Sequence, residues 1–241
     1  MSPNPATFLQ HLRAEGYHPR SDKHSNALAE SIVADLMDGC EAMAQSARGG
    51  RLVYDLNFTI SAGTSDWKVD LVLGAPPPGT PLPVSGLRIR KTLPSTVQLA
   101  VEIKSVMTEH RKAIKNRKRD FEAHHEHVHR YSNAAIAAGV LVVNQAATFR
   151  SPLRQTVTQH REPRSLVQHC VQQMRSVTGR SGLVGEGLEA KCAIVVDMDN
   201  QDRAATRYVS EAPAPQIGDP LHYDAFLQAL CSLYAQRFAA G

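Results

Sequence analysis

Four cysteines in 241 residues, Cys40, Cys170, Cys192 and Cys231, are scattered along the chain. None forms a C-x-x-C pair, and no histidine stands at zinc-finger spacing from one. That pattern argues against a zinc module and for reduced thiols in a cytoplasmic protein. No apolar stretch is long enough to span a bilayer, and the opening MSPNPATFLQHLRAEG has no apolar core of the signal-peptide kind, so no membrane partner is expected. Internal repeats and long low-complexity tracts are absent too. What is present is an ordinary globular composition, 42% hydrophobic and 21% charged, with enough apolar material for a core that needs no staples. The net charge of +4 is compatible with a polyanionic partner without establishing one.

Periodicity gives the order of elements. Ser25 to Ala47 reads as a helix ended by Gly49-Gly50, and Arg51 to Ile60 as a strand with Leu52, Tyr54, Leu56, Phe58 and Ile60 on one face. A short turn containing Gly63 should join it in a hairpin to a second strand, WKVDLVLG. Ala75 to Pro94 is a Pro/Gly-rich loop, and VQLAVEIKS (Val97 to Ser105) is a third strand. Glu109 to Tyr131 is a long helix, Gly139 to Asn144 a buried strand, Ala146 to Pro163 a loop and Ser165 to Val177 a helix. Lys191 to Asp197 is a strand, and Asp219-Pro220 opens the last helix with a cap and a first-turn proline. Strands alternating with helices predict an α/β domain, a mixed central sheet flanked by helices. Residues 1–24 form an N-terminal extension and 25–241 a single domain, with no strong boundary inside it.

The anomaly lies on the second and third strands. Asp70 sits mid-strand between Val69 and Leu71. On the third strand Val97, Leu99, Val101 and Ile103 share one face, while Glu102 and Lys104 project together from the other. A buried carboxylate is costly unless it is paired or binds a metal. Two carboxylates meeting at a point suit a hard divalent cation. A neighbouring lysine can orient or deprotonate a metal-bound water, or steady charge building on a phosphate oxygen. This set of groups suits metal-assisted hydrolysis of a phosphodiester.

The arrangement resembles the PD-(D/E)xK nuclease superfamily, whose fold is restriction-endonuclease-like. Val69-Asp70 stands where that family has Pro-Asp, and Glu102-Ile103-Lys104 fits the (D/E)xK element; the missing proline is a departure. The likeness spans about residues 25–144, leaving 145–241 as C-terminal helices and strand. It implies that Asp70, Glu102 and the main-chain carbonyl of Ile103 bind Mg²⁺, with Lys104 near the attacking water. It also implies an acid on the preceding helix, for which Glu30 is the best candidate, with Glu41 and Asp35 behind it.

Past the third strand, EHRKAIKNRKRD places Arg111, Lys112, Lys115, Arg117, Lys118 and Arg119 close together. Ile114, Phe121 and Val128 form an apolar stripe at heptad spacing, with Lys112, Lys115 and Arg119 mainly opposite it. Arg117 and Lys118 flank the stripe and must snorkel or find an acid. Arg111, Lys112, Lys115, Lys118 and Arg119 are the candidate phosphate-contacting residues, set against the alternative of a solvated helix face. His125 and His129 have the i, i+4 spacing of a metal site without a third ligand, and His124 lies on the side of Arg117, within reach of the carboxylates.

The expectation is a Mg²⁺-dependent endonuclease acting on double-stranded DNA, with restriction or anti-phage defence implied by the resemblance. Residues 145–241 contain no helix-turn-helix or zinc finger. Cutting both strands calls for a homodimer or higher oligomer. The competing expectations are a non-specific or ligand-activated effector nuclease, and a protein that binds nucleic acid without cleaving it.

Overall fold

Runs of period two become strands and runs of period 3.6 become helices in the computed structural model, which describes residues 4–62, 65–83, 88–154 and 156–239. In chain order the helices are α1 (Ala6–Glu15), α2 (Lys23–Gly39), α3 (Glu41–Arg48), α4 (His110–Tyr131), α5 (Pro163–Arg175) and α6 (Tyr223–Phe238). The strands are β1 (Val53–Ala62), β2 (Ser65–Gly74), β3 (Arg90–Lys91), β4 (Leu99–Val106), β5 (Ile136–Asn144), β6 (Thr148–Arg150), β7 (Val157–Gln159), β8 (Ala190–Asp197) and β9 (Arg207–Tyr208).

Seven strands form one sheet in the order β3-β1-β2-β4-β5-β8-β9. β1 and β2 are an antiparallel hairpin, β2 runs antiparallel to β4, and β4, β5 and β8 are parallel. All nine residues of β5 are buried, as a parallel strand covered on both faces must be. Successive side chains of the central strands divide between two cores. Val101, Ile103, Val140 and Val142 pack with Leu28, Ile32, Met43 and Leu230 from α2, α3 and α6. Ala100, Ala137, Leu141 and Val143 pack with Ile114, Phe121, Val128, Val167 and Met174 from α4 and α5. The result is the expected α/β arrangement, a mixed central sheet flanked by helices. Phe8 and Leu12, within the segment read as an extension, join the first of these cores through α1.

Several local expectations are corrected. The helix predicted over Ser25 to Ala47 is two helices, because Cys40 is extended (φ −122°, ψ 94°) and interrupts it. Cys40 is joined in a disulfide to Cys231 of α6, with Cα atoms 5.5 Å apart. The reading of four reduced thiols therefore fails at two; the partners lie 191 residues apart, so no local spacing marks them. Cys170 and Cys192 are free and buried. The last helix begins at Tyr223, not at Asp219-Pro220. Asp219 makes a turn instead, accepting the Leu221 N–H at 2.8 Å and Arg175 at 2.7 Å, and His222 Nδ1 accepts the Asp224 N–H. The loop expected over Ala146 to Pro163 contains the β6–β7 hairpin, and that over Ala75 to Pro94 contains β3, which pairs with β1. The turn expected at Gly63 lies outside the described residues, as do residues 84–87 of that second loop. No helix among the described residues is long and apolar enough to cross a membrane.

Candidate active site

The site begins where a strand ladder stops. β2 and β4 pair through Leu73↔Leu99, Val72↔Ala100 and Leu71↔Val101, and no further. At the next rung the N–H of Ile103 donates to Asp70 Oδ2 at 2.8 Å, so a side chain takes the place of a backbone acceptor and the strands part. A strand residue directs its N–H and C=O to the same edge, so the Ile103 carbonyl faces the same gap. Across the hairpin, Asn57 stands at φ 58°, and the pairing skips the Asn57–Asp70 step. The pleat changes faces there: Leu56 and Leu71 lie in the core under α2, whereas Ile60 and Val69 lie in the core under α4. Asn57 Nδ2 donates to Asn26 Oδ1 at 2.9 Å, which ties the kink to α2.

Glu102 and Lys104 leave β4 on the face that carries Ala100, toward α4. Glu102 is 1% exposed; its Oε1 is in very short contact with Lys104 Nζ, and its Oε2 has no hydrogen-bond partner among the described residues. Lys104 Nζ also lies 3.8 Å from Asp70 Oδ2, so one ammonium spans both carboxylates. His124 of α4 is fully buried, with Nε2 3.3 Å from the Ala100 carbonyl and Nδ1 3.7 Å from Glu102 Oε2. Its approach depends on Gly139, which pairs with Glu102 across the ladder: a Cβ there would meet Phe121 Cδ1 and Leu188 Cδ1 at 2.9 Å.

Burial dominates the titration of these groups. It pushes Glu102 up to about 8, against the pull of Lys104 and with the help of Asp70. It raises Asp70 as well, against Lys104, the Ile103 N–H and the Ser25 hydroxyl. Burial also draws the Lys104 ammonium down, but Glu102 and Asp70 outweigh it and hold it above the usual lysine range. His124 is depressed to about 3 by burial and is neutral at physiological pH. With Nε2–H directed at the Ala100 carbonyl, its Nδ1 presents a lone pair, not a proton, to Glu102. With Glu102 protonated, Asp70 and the Lys104 ammonium balance; only when both carboxylates are ionised does the mostly dry site carry one surplus negative charge. Two carboxylates and a main-chain carbonyl match the oxygen preference of Mg²⁺, which keeps waters in its remaining positions. No group of three or more His, Cys, Asp or Glu side chains suited to a metal occurs among the described residues.

Glu30 is not part of this cluster. It is exposed on α2 and pairs with Lys91 of β3 at 3.0 Å. Glu41 pairs with Arg48, and Asp35 accepts from the Tyr223 hydroxyl at 2.7 Å. α2 presents its first turn to Asp70, so Ser25 reaches the carboxylate and a residue further along the helix does not. Sequence reasoning also missed His24, packed at a tilt against Tyr17 with ring centroids 4.5 Å apart and lowered to about 4 by burial, with Lys104 among its charged neighbours. Asp120 was missed too; it pairs with Arg117 at 3.1 Å and adds negative potential at both Glu102 and Lys104. One signal was available: residues 117, 120 and 124 recur at helical spacing over the β4 face.

Among the basic residues of α4, Arg111, Lys112, Lys115 and Arg119 are exposed, and Lys118 Nζ reaches Ser176 Oγ at 3.1 Å. Arg117 finds the acid its position required. His125 binds Glu122 at 2.9 Å and His129 binds Glu189 at 3.1 Å, so the i, i+4 pair is divided between two acids and does not face one ion. Comparisons with protein-family models, curated proteins and solved structures found no match to this chain.

Proposed function

We propose that the chain is a metal-dependent endonuclease with a restriction-endonuclease-like core, hydrolysing phosphodiester bonds of double-stranded DNA. The observation that carries this reading is the gap between β2 and β4, where Asp70, the Ile103 carbonyl, Glu102 and Lys104 converge and one buried carboxylate oxygen has no hydrogen-bond partner among the described residues. Asp70, Glu102 and the Ile103 carbonyl would hold Mg²⁺. Bound there, the ion supplies Lewis-acid activation of water and of a phosphate oxygen. Lys104, held charged by its two acids, is suited to orienting the attacking water and steadying developing negative charge, and not to taking a proton. Lys115 and Arg119, with Arg111, Lys112 and Lys118, would meet backbone phosphates and give salt-sensitive, sequence-independent affinity. A homodimer would place two such gaps on the two strands. For a cytoplasmic location, the cysteines no longer supply the argument, since two of them form a disulfide.

One observation favours a non-specific or effector role over sequence-specific restriction. The C-terminal part adds β8 and β9 to the same sheet and α5 and α6 to its two faces, so the described residues are used in building the layers. The test is a plasmid digest with Mg²⁺ and with EDTA, using wild type, Asp70→Asn and Lys104→Ala. Cleavage should need Mg²⁺ and fall at least about 100-fold in either variant. Variants that cut like wild type would sink the assignment. Discrete fragments would indicate restriction and a smear non-specific cleavage.

A further inference from the structure

Two helices begin at one cavity, away from the carboxylate gap. α4 starts behind Glu109 (φ 51°) and α5 behind Glu162 (φ 53°), both left-handed, and neither residue caps its helix with a side-chain hydrogen bond. The cavity, of about 670 Å³, is lined by His110, Arg111, Lys112, His160, Arg161 and Ser165, with Leu166 on its apolar side. The amides of a helix's first turn carry the positive end of its dipole. Here two such ends meet beside three cationic side chains. Glu109 and Glu162 also border the cavity, and Glu109 is engaged by Arg154 at 3.5 Å.

The independent pointer is a pair of imidazoles in the wall. His110 is 2% exposed and His160 9%, and their rings meet edge to face at 4.8 Å. Each gives one ring nitrogen to a main-chain carbonyl, His110 Nε2 to Asn144 at 2.7 Å and His160 Nδ1 to Ala146 at 2.6 Å. The other two nitrogens, His110 Nδ1 and His160 Nε2, have no partner among the described residues. Buried polar groups are ordinarily hydrogen-bonded, and these two unpartnered nitrogens belong to residues that share the cavity wall. The place fits as well: the cavity lies where β4 and β5 end and their following helices start. Phosphates are commonly held at helix N-termini beyond the carboxyl ends of such strands. Its volume far exceeds a phosphate and falls within the range of small-molecule sites.

We infer that this cavity binds a nucleoside phosphate, its phosphate on the amide ends of α4 and α5 beside Arg161 and its base against the imidazoles and Leu166. The inference goes beyond the nuclease reading and does not depend on it. The test is calorimetric titration of the full chain with the four ribonucleoside 5′-monophosphates and, separately, with inorganic phosphate. Ser165→Asp places a carboxylate where a helix N-terminus tolerates it, so the variant should melt no lower than wild type while repelling the ligand. At least one nucleotide should bind, and Ser165→Asp and Arg161→Glu should each weaken it at least about tenfold. Asp70→Asn should leave binding unchanged. The inference is overturned if no nucleotide binds, if inorganic phosphate binds as tightly as every nucleotide, if both cavity variants bind like wild type, or if Asp70→Asn abolishes binding.

Discussion

Replacing Glu102 by Gln should stabilise the metal-free protein, and increasingly so as pH rises. Burial lifts the Glu102 carboxyl from its ordinary 4.5 to about 8, so the fold favours the protonated form. The stabilisation this gives is complete below about pH 4.5 and is lost as the pH climbs through 8, where the carboxylate must ionise inside the fold. At 1.36 kcal/mol per tenfold, the ceiling is about 5 kcal/mol, with about 3 kcal/mol of it spent by pH 7 and under about 1 kcal/mol at pH 5. Because Glu102 is 1% exposed, solvent screening does little to reduce this, although local relaxation will. Gln mimics the protonated acid in shape and charge. Urea unfolding in EDTA should therefore give nearly equal stabilities at pH 5 and a gap of about 2–4 kcal/mol at pH 8, the variant being the more stable. Adding Mg²⁺ should then close most of the gap. A cation at 100 times its Kd stabilises wild type by about 2.7 kcal/mol and should do little for the variant. A gap that fails to widen between pH 5 and pH 8, or a variant less stable than wild type at pH 8, would refute the reasoning.

Three further outcomes test the surroundings of the gap. Gly139→Ala should cost about 1–3 kcal/mol, because its Cβ would push against Phe121 and Leu188 and displace α4; a urea midpoint equal to wild type would contradict the close approach. Cys231→Ser, or reduction of the wild-type protein, should lower stability by about 2–4 kcal/mol through loss of a cross-link closing a 191-residue separation, and coincident unfolding curves with and without reductant would exclude that contribution. Lys115→Ala with Arg119→Ala should reduce the salt slope of DNA affinity by about two without shifting the Mg²⁺-dependent melting gain. An unchanged slope would mean that this face of α4 does not meet phosphates.

Elements whose burial follows a simple period were legible in the chain. β4 and β5 could be read from their apolar runs, and the Ile114, Phe121 and Val128 stripe of α4 from its heptad spacing. All three stripe residues are buried. The pairing of Asp70 with Glu102 and Lys104 was legible for the same reason, since polar residues stand out in strands that should be apolar. The face of β1 was not. Its alternation continues unbroken from Leu52 to Ile60, and only the left-handed Asn57 divides it between two cores. Nor does periodicity reveal which end of a helix meets the sheet, which is why Ser25 and not Glu30 touches Asp70. The disulfide and the edge strand β3 depend on contacts distant in sequence, which no local pattern encodes, and β9 is only two residues long, too short to show a period.

The geometry also bears on whether the cluster exists for stability. An exposed ion pair contributes at most about 1 kcal/mol, and as an edge pair Glu102–Lys104 would need no explanation. Glu102 is not exposed, however, and one of its oxygens is buried without a hydrogen bond. A buried pair of this kind is commonly no better than apolar residues of the same volume, and one incompletely satisfied is worse. Asp70, placed beside it with only Lys104 between them, adds a like charge that pushes Glu102 further from ionisation. A sheet selected for stability alone would close the β2–β4 ladder and fill these positions with Val or Thr. Instead the Asp70 carboxylate holds the ladder open at the Ile103 N–H, and ionising Glu102 puts a surplus negative charge along the opened edge. A cation entering that edge would turn an unfavourable arrangement of charges into a favourable one, and for that reason the carboxylates, not the larger cavities of the molecule, are the place to look for chemistry.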